Sequence, residues 1–154
     1  FSMTGWRIGW MVVPESHIRR IERIAQNMFI CAPHVSQIAA LGAFNGKFEL
    51  QKNLLAYKEN RDVLTKGLSE AGFKDITHPD GAFYIYADIG LFSKDSLSFA
   101  TEILDTVAVA VTPGIDFDPV NGKTKLRFSY ARTTKEIKEG VRRIKSFMKK
   151  RNFI

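Results

Sequence analysis

FSMTGWRIGW (residues 1–10) sets an arginine, Arg7, among tryptophans, glycines and an isoleucine. The short apolar run from Trp6 to Val13, stopped by Pro14, predicts a buried strand. A guanidinium there is costly without a counter-charge, so Arg7 is expected to meet an anion. The same placement recurs in KLRFSYA (residues 125–131). Leu126, Phe128 and Tyr130 share one face of that predicted strand, and Arg127 projects from the other. Solvent exposure of that second face is the alternative at this point. The planar arginine fork suits carboxylate and phosphate, so two such residues suggest two anionic groups. Trp6 and Trp10 read as core packing.

Outward from these stretches, the pattern is helical and then mixed. Pro14 opens a helix carrying Ile18, Ile21, Ala25 and Met28 on one side. The segment 31–33, Cys-Ala-Pro, breaks it, and Pro33 opens a second helix running to about Phe44. Leu50, Leu54, Tyr57, Arg61, Leu64 and Leu68 mark a long third helix, with Gly72 as its C-terminal cap. Arg61 on that stripe reads as a structural ion pair or a stem laid over the core. Beyond Gly72 come short strands at 73–76, 82–89, 107–112 and 125–131, and a helix over 96–106. A last helix is announced by the capping box of Thr133 and Glu136. The expected class is α/β, with an α+β second half. The expected divisions are 1–50, a connecting helix at 51–72, and 73–154.

Of the 154 residues, 45% are hydrophobic and 25% charged, which is ordinary globular composition. No apolar run approaches the roughly 18 residues that span a bilayer, and no membrane partner is expected. The net charge of +7 invites a nucleic-acid reading. Residues 135–151, however, hold eight basic and two acidic residues around an apolar stripe of Ile137, Val141, Ile144 and Met148. A solvated basic helix is the expectation, and nucleic acid is not an expected partner. His17, His34, His78 and the single Cys31 show no metal spacing and no hydrolase arrangement. The lone cysteine fits a reducing, cytoplasmic setting.

Ser2-Met3-Thr4-Gly5-Trp6-Arg7-Ile8-Gly9 closely resembles the segment after the cofactor lysine in class I/II aminotransferases, pyridoxal-phosphate enzymes of fold type I. The family pattern runs Ser-Lys-x-Phe-Ser-Met-Thr-Gly-Trp-Arg. Three further stretches resemble the family in the same order: PDGAFY (79–84), VAVTPG (109–114) and LRFSYA (126–131). IDFD (115–118) departs from it, because many members finish that loop with glycine where Asp118 stands.

The resemblance implies the end of a large domain followed by a small C-terminal domain. It implies pyridoxal phosphate as cofactor, with Arg7 on its phosphate. It also implies Arg127 as the clamp on the substrate α-carboxylate, with Phe117 and the 113–116 loop bordering the substrate. The cofactor-bearing (Schiff-base) lysine would stand two residues before Phe1, so no catalytic residue is assigned here and the chain alone is expected to be inactive. The implied reaction is a ping-pong exchange of an amino group between an amino acid and a 2-oxo acid, in a homodimer. A lyase or synthase on the same scaffold, and a non-catalytic basic nucleic-acid-binding module, are the alternatives. Some members that use dicarboxylates carry an arginine beside the segment matching 31–33, where this chain has His34.

Overall fold

The computed structural model describes residues 1–154, which divide into two compact units, Phe1–Asn53 and Leu54–Ile154.

The first unit contains no strand. Thr4–Trp6 forms a single 3-10 turn, and Arg7 follows it in the left-handed region at φ 52°. The expected buried strand over Trp6–Val13 is therefore absent. The physical reason is that a strand needs a ladder partner for its N–H and C=O groups. All four strands of the chain lie in the second unit. The tryptophans are also not core: Trp6 is 48% and Trp10 68% exposed. Trp10 and Phe1 instead lie against Phe44, with ring centroids 6.4 and 5.3 Å away.

Two helices follow. α1 spans Glu15–Met28, with Pro14 at its N-cap and Glu15 at the positive end of its dipole. α2 spans His34–Ala43 behind Pro33, and the Gln37 amide donates back to the Ala32 carbonyl at 2.8 Å. Each proline sits just outside the first helical residue, where its missing N–H costs nothing. The apolar stripe of α1 is present, but α1 buries no residue.

α3 spans Lys47–Glu70. Its end is a Schellman motif. Gly72 takes φ 89°, its N–H donates to the Ser69 carbonyl, and the Phe73 N–H donates to the Leu68 carbonyl. Glycine alone adopts that conformation without cost. Phe73 and Leu68 are both buried, completing the hydrophobic contact of the motif. Arg61 pairs with Asp62 at 3.0 Å, which is the structural role expected of it.

The second unit is built on a four-stranded antiparallel sheet in the order β1-β2-β4-β3. β1 is Ile76–Thr77, β2 is Tyr84–Asp88, β3 is Thr112–Pro113 and β4 is Lys125–Ser129. Alternation decides what each face carries. Ile85, Ala87, Leu126 and Phe128 point into the core with Leu68, Phe73, Ile103 and Phe147. Tyr84, Tyr86 and Arg127 occupy the other face.

α4 spans Ser96–Val107 and is capped by Asp95, which accepts from the Leu97 and Ser98 amides. The strand expected over 107–112 is shorter than its composition suggests. Val107 still belongs to α4, Ala108 takes the left-handed turn that ends it, and only Thr112–Pro113 reaches a ladder.

α5 spans Thr134–Lys150 and buries Ile137, Val141, Ile144, Phe147 and Met148. Its basic residues are largely paired. Arg142 and Arg143 share Glu139, holding that carboxyl down to about 2, and Arg151 meets Glu102 at 3.1 Å. The capping box is complete. Thr133 Oγ1 accepts from the Glu136 amide at 3.3 Å, and the Thr133 N–H donates to Glu136 Oε2 at 3.2 Å. Thr133→Ala should lower the unfolding free energy by about 1 kcal/mol in a denaturant titration. An unchanged midpoint would mean that the box adds nothing to α5.

Candidate active site

β4 delivers Arg127 to the sheet face away from the helices, and both neighbouring strands shape its surroundings. Tyr86 stands opposite Arg127 on β2, and Thr112 stands opposite it on β3. The half-buried guanidinium lies over two aromatic rings. Its central carbon is 4.2 Å from the Tyr84 ring centroid and 4.1 Å from that of Phe117. Nη2 donates a long hydrogen bond, 3.4 Å, to Thr112 Oγ1. Arg127 takes part in none of the ion pairs of the chain. A half-buried cation with no acidic partner is a site for an anion. It opens onto a concavity of about 350 Å³ lined by Pro79, Tyr84, Tyr86, Phe117 and Asp118.

The loop that presents Phe117 is held by backbone packing. Gly114–Asp116 is a 3-10 turn, closed by the Phe117 and Asp118 amides donating to the Gly114 carbonyl. A Cβ on Gly114 would stand 2.5 Å from the Gly122 carbonyl oxygen and 2.6 Å from Tyr86 Oη. Only glycine fits so close an approach. Asp118 gives this loop its own closure, because Oδ1 accepts from the Val120 and Asn121 amides at 2.9 Å. Those two bonds hold the Asp118 carboxyl below its usual range. The departure from glycine at 118 is thus absorbed by an aspartate turn. Burial pushes the Tyr86 phenol up, and the negative charge of Asp118 adds to this. Tyr86 Oη is buried without a hydrogen-bond partner.

The start of β4 is pinned by charge. Lys125 reaches Asp88 at 3.1 Å and Asp75 at 3.2 Å. Burial disfavours the Lys125 charge, but the two carboxylates outweigh it and raise its pKa. Burial likewise works against the Asp88 charge. The Gly90 amide and Lys125 overcome that and lower its pKa.

Arg7 belongs to the first unit. It is exposed, and its Nη1 donates to the Thr4 carbonyl of its own turn at 2.9 Å. It has no acidic partner, and its remaining donors are free for an oxyanion. Arg127 and Phe117, two of the expected site residues, come together in the second unit. Tyr84, Tyr86 and Thr112 were not singled out from the sequence. The alternation of 84–88 against Ile85 and Ala87 carried the signal for the two tyrosines, whereas pairing of Thr112 with Arg127 depends on the register of β3. A larger concavity, about 550 Å³, lies along α5 beside Val109 and Val111. Two of its charged lining groups, Glu139 and Arg143, are paired with each other, so it is the less suited to an anion.

The chain matches the family of class I and II aminotransferases over residues 1–144. It is 42% identical over 150 residues to the valine–pyruvate aminotransferase of Mycobacterium tuberculosis, covering 96% of this chain and 39% of that protein. Among solved structures, it resembles an aminotransferase from Mycobacterium tuberculosis with a TM-score of 0.86, at 42% identity over 97% of this chain and 39% of the other. A Silicibacter pomeroyi protein gives a TM-score of 0.87, at 59% identity over 97% of this chain and 40% of the other.

The fold and the matched segments define a fold type I protein of the α/β class. The chain belongs to the class I and II aminotransferase family, and it spans about two-fifths of the length of these relatives. Members of that family generally depend on pyridoxal phosphate and act on amino acids and 2-oxo acids. No helix of the chain is long and apolar enough to cross a membrane.

Proposed function

We propose that the whole protein is a pyridoxal-phosphate aminotransferase that moves an amino group between an amino acid and a 2-oxo acid by a ping-pong route. The observation that carries this is Arg127, a half-buried guanidinium with no acid partner, facing a concavity rimmed by Tyr84, Tyr86 and Phe117. In-plane N–H groups of Arg127 hold the substrate α-carboxylate, and the second hydrogen bond of that fork fixes its rotation. Fixing the carboxylate turns the Cα–H bond toward the reacting face, which converts binding energy into orientation. Phe117 borders the substrate beside Arg127. The free donors of Arg7 suit a phosphate, and we assign Arg7 to that of the cofactor. When bound, the cofactor supplies an electron sink for the carbanion formed at Cα. The lysine that carries it lies outside these residues on this reading, in a homodimer working in the cytoplasm.

Initial rates at several fixed concentrations of the second substrate test the reaction. Parallel double-reciprocal lines are expected, and intersecting lines would exclude ping-pong exchange. Arg7→Ala in the whole protein should weaken cofactor binding by about 10- to 100-fold in a titration of the cofactor-free form, the scale of one lost charged hydrogen bond. Unchanged affinity would remove Arg7 from the phosphate site.

A further inference from the structure

The guanidinium of Arg127 is braced by two rings from separate parts of the chain. Tyr84 belongs to β2, and Phe117 ends the turn after β3. Both ring centroids lie within 4.2 Å of the guanidinium carbon. Hydrogen bonding alone would leave Arg127 loosely held, because its bond to Thr112 is 3.4 Å long. An arginine side chain carries much rotamer entropy, which a ligand must otherwise remove on binding. Aromatic rings hold a guanidinium by cation–π attraction and supply no oxygen acceptor to its N–H donors, which stay available to a ligand.

We propose that Tyr84 and Phe117 are positioning residues that pre-order Arg127 for a carboxylate, acting on the carboxylate through the cation. This rests on the reading of Arg127 as the carboxylate-binding group. The brace keeps the fork in place before substrate arrives, so its contribution falls on carboxylate affinity and on orientation. Tyr84 takes this role through its ring and not its hydroxyl. Phe117 is 51% exposed, so its ring owes its place to the Gly114 turn and to Arg127 more than to a core.

The test uses the whole, cofactor-loaded enzyme and propionate as a plain carboxylate probe, with its dissociation constant measured by competition against the amino acid. Tyr84→Leu and Phe117→Leu should each raise that constant about threefold to tenfold, the scale of a cation–π contact in a partly exposed site. Tyr84→Phe, which keeps the ring, should rescue the affinity lost in Tyr84→Leu. Neither leucine substitution should add anything in an Arg127→Ala background. Melting temperatures identify any variant that has lost its fold, and Phe117→Leu, on an exposed turn, serves where Tyr84→Leu does not fold. If both leucine variants bind propionate as wild type does while Arg127→Ala weakens it, the brace is refuted and the assignment of Arg127 survives. If Arg127→Ala itself leaves propionate binding unchanged, the assignment fails and the brace fails with it.

Discussion

Arg127→Ala in the whole protein should lower kcat/KM for the amino acid by about two to four orders of magnitude, because two charged hydrogen bonds worth about 1.5–3 kcal/mol each disappear. Cofactor affinity should stay at its wild-type value, since Arg127 is assigned to the substrate alone. Arg127→Lys should recover little. A single ammonium cannot make two parallel bonds to a carboxylate, and it also loses the guanidinium that lies over Tyr84 and Phe117. The lysine variant should therefore show both a raised KM and a lowered kcat. Steady-state kinetics on the amino acid, with cofactor titrated in parallel, separate the two effects. An Arg127→Ala enzyme that handles amino acids like wild type would reduce Arg127 to a surface arginine.

Gly114→Ala is the second large effect, and it acts on the fold and the site together. The added methyl meets the Gly122 carbonyl oxygen at 2.5 Å, Tyr86 Oη at 2.6 Å and Lys125 Cβ at 2.8 Å. Backbone stands on one side and a strand-anchored phenol on another, so the turn itself must move. Overpacking of this kind costs about 1–3 kcal/mol. The shifted turn carries Phe117 away from Arg127, so weaker substrate binding should accompany the loss of stability. Gly140→Ala supplies the contrast. Nothing lies within 4 Å of a Cβ at Gly140, in the middle of α5, and alanine there should stabilise by up to about 1 kcal/mol. Denaturant midpoints of the two variants should move in opposite directions. A Gly114→Ala midpoint at or above wild type would show that the two loops are not tightly packed.

The second unit was legible in the sequence because each of its elements carries its own signal. Thr133 and Glu136 announce α5, Gly72 closes α3, and the alternation around Arg127 sets one face of β4 against the other. Period-two and period-3.6 patterns are local, and so they survive in the sequence. The first ten residues misled for the converse reason. Apolar composition at Trp6–Val13 promised a strand, but a strand is a relation between segments, and no ladder partner is present in that unit. β3 was overestimated in the same way: the run of valines and alanines at 107–111 has strand propensity, yet the left-handed Ala108 finishes α4 and no ladder forms before Thr112. Of the site, Arg127 could be singled out because LRFSYA (126–131) resembles the family's segment, whereas alternation alone left its face open to solvent. The face that Tyr84 occupies was carried by the alternation of its strand, but its partnership with Arg127 arises from strand pairing across forty-odd positions of chain and is written in neither segment alone.

Asn60 has a mechanical consequence. It is wholly buried in α3, and its amide donates to the carbonyls of Tyr130 at 3.0 Å and Arg132 at 2.6 Å. Those carbonyls belong to the chain just as it leaves β4, three and five residues past Arg127. One side chain thus bolts a long helix to the exit of the strand that carries the anion-binding arginine. Within this unit, the part of α3 beyond Asn53 and the exit of β4 are held together at this one buried point. The two hydrogen bonds fix where the exit of β4 sits against this part of the helix, and so help to set the place from which Arg127 is presented.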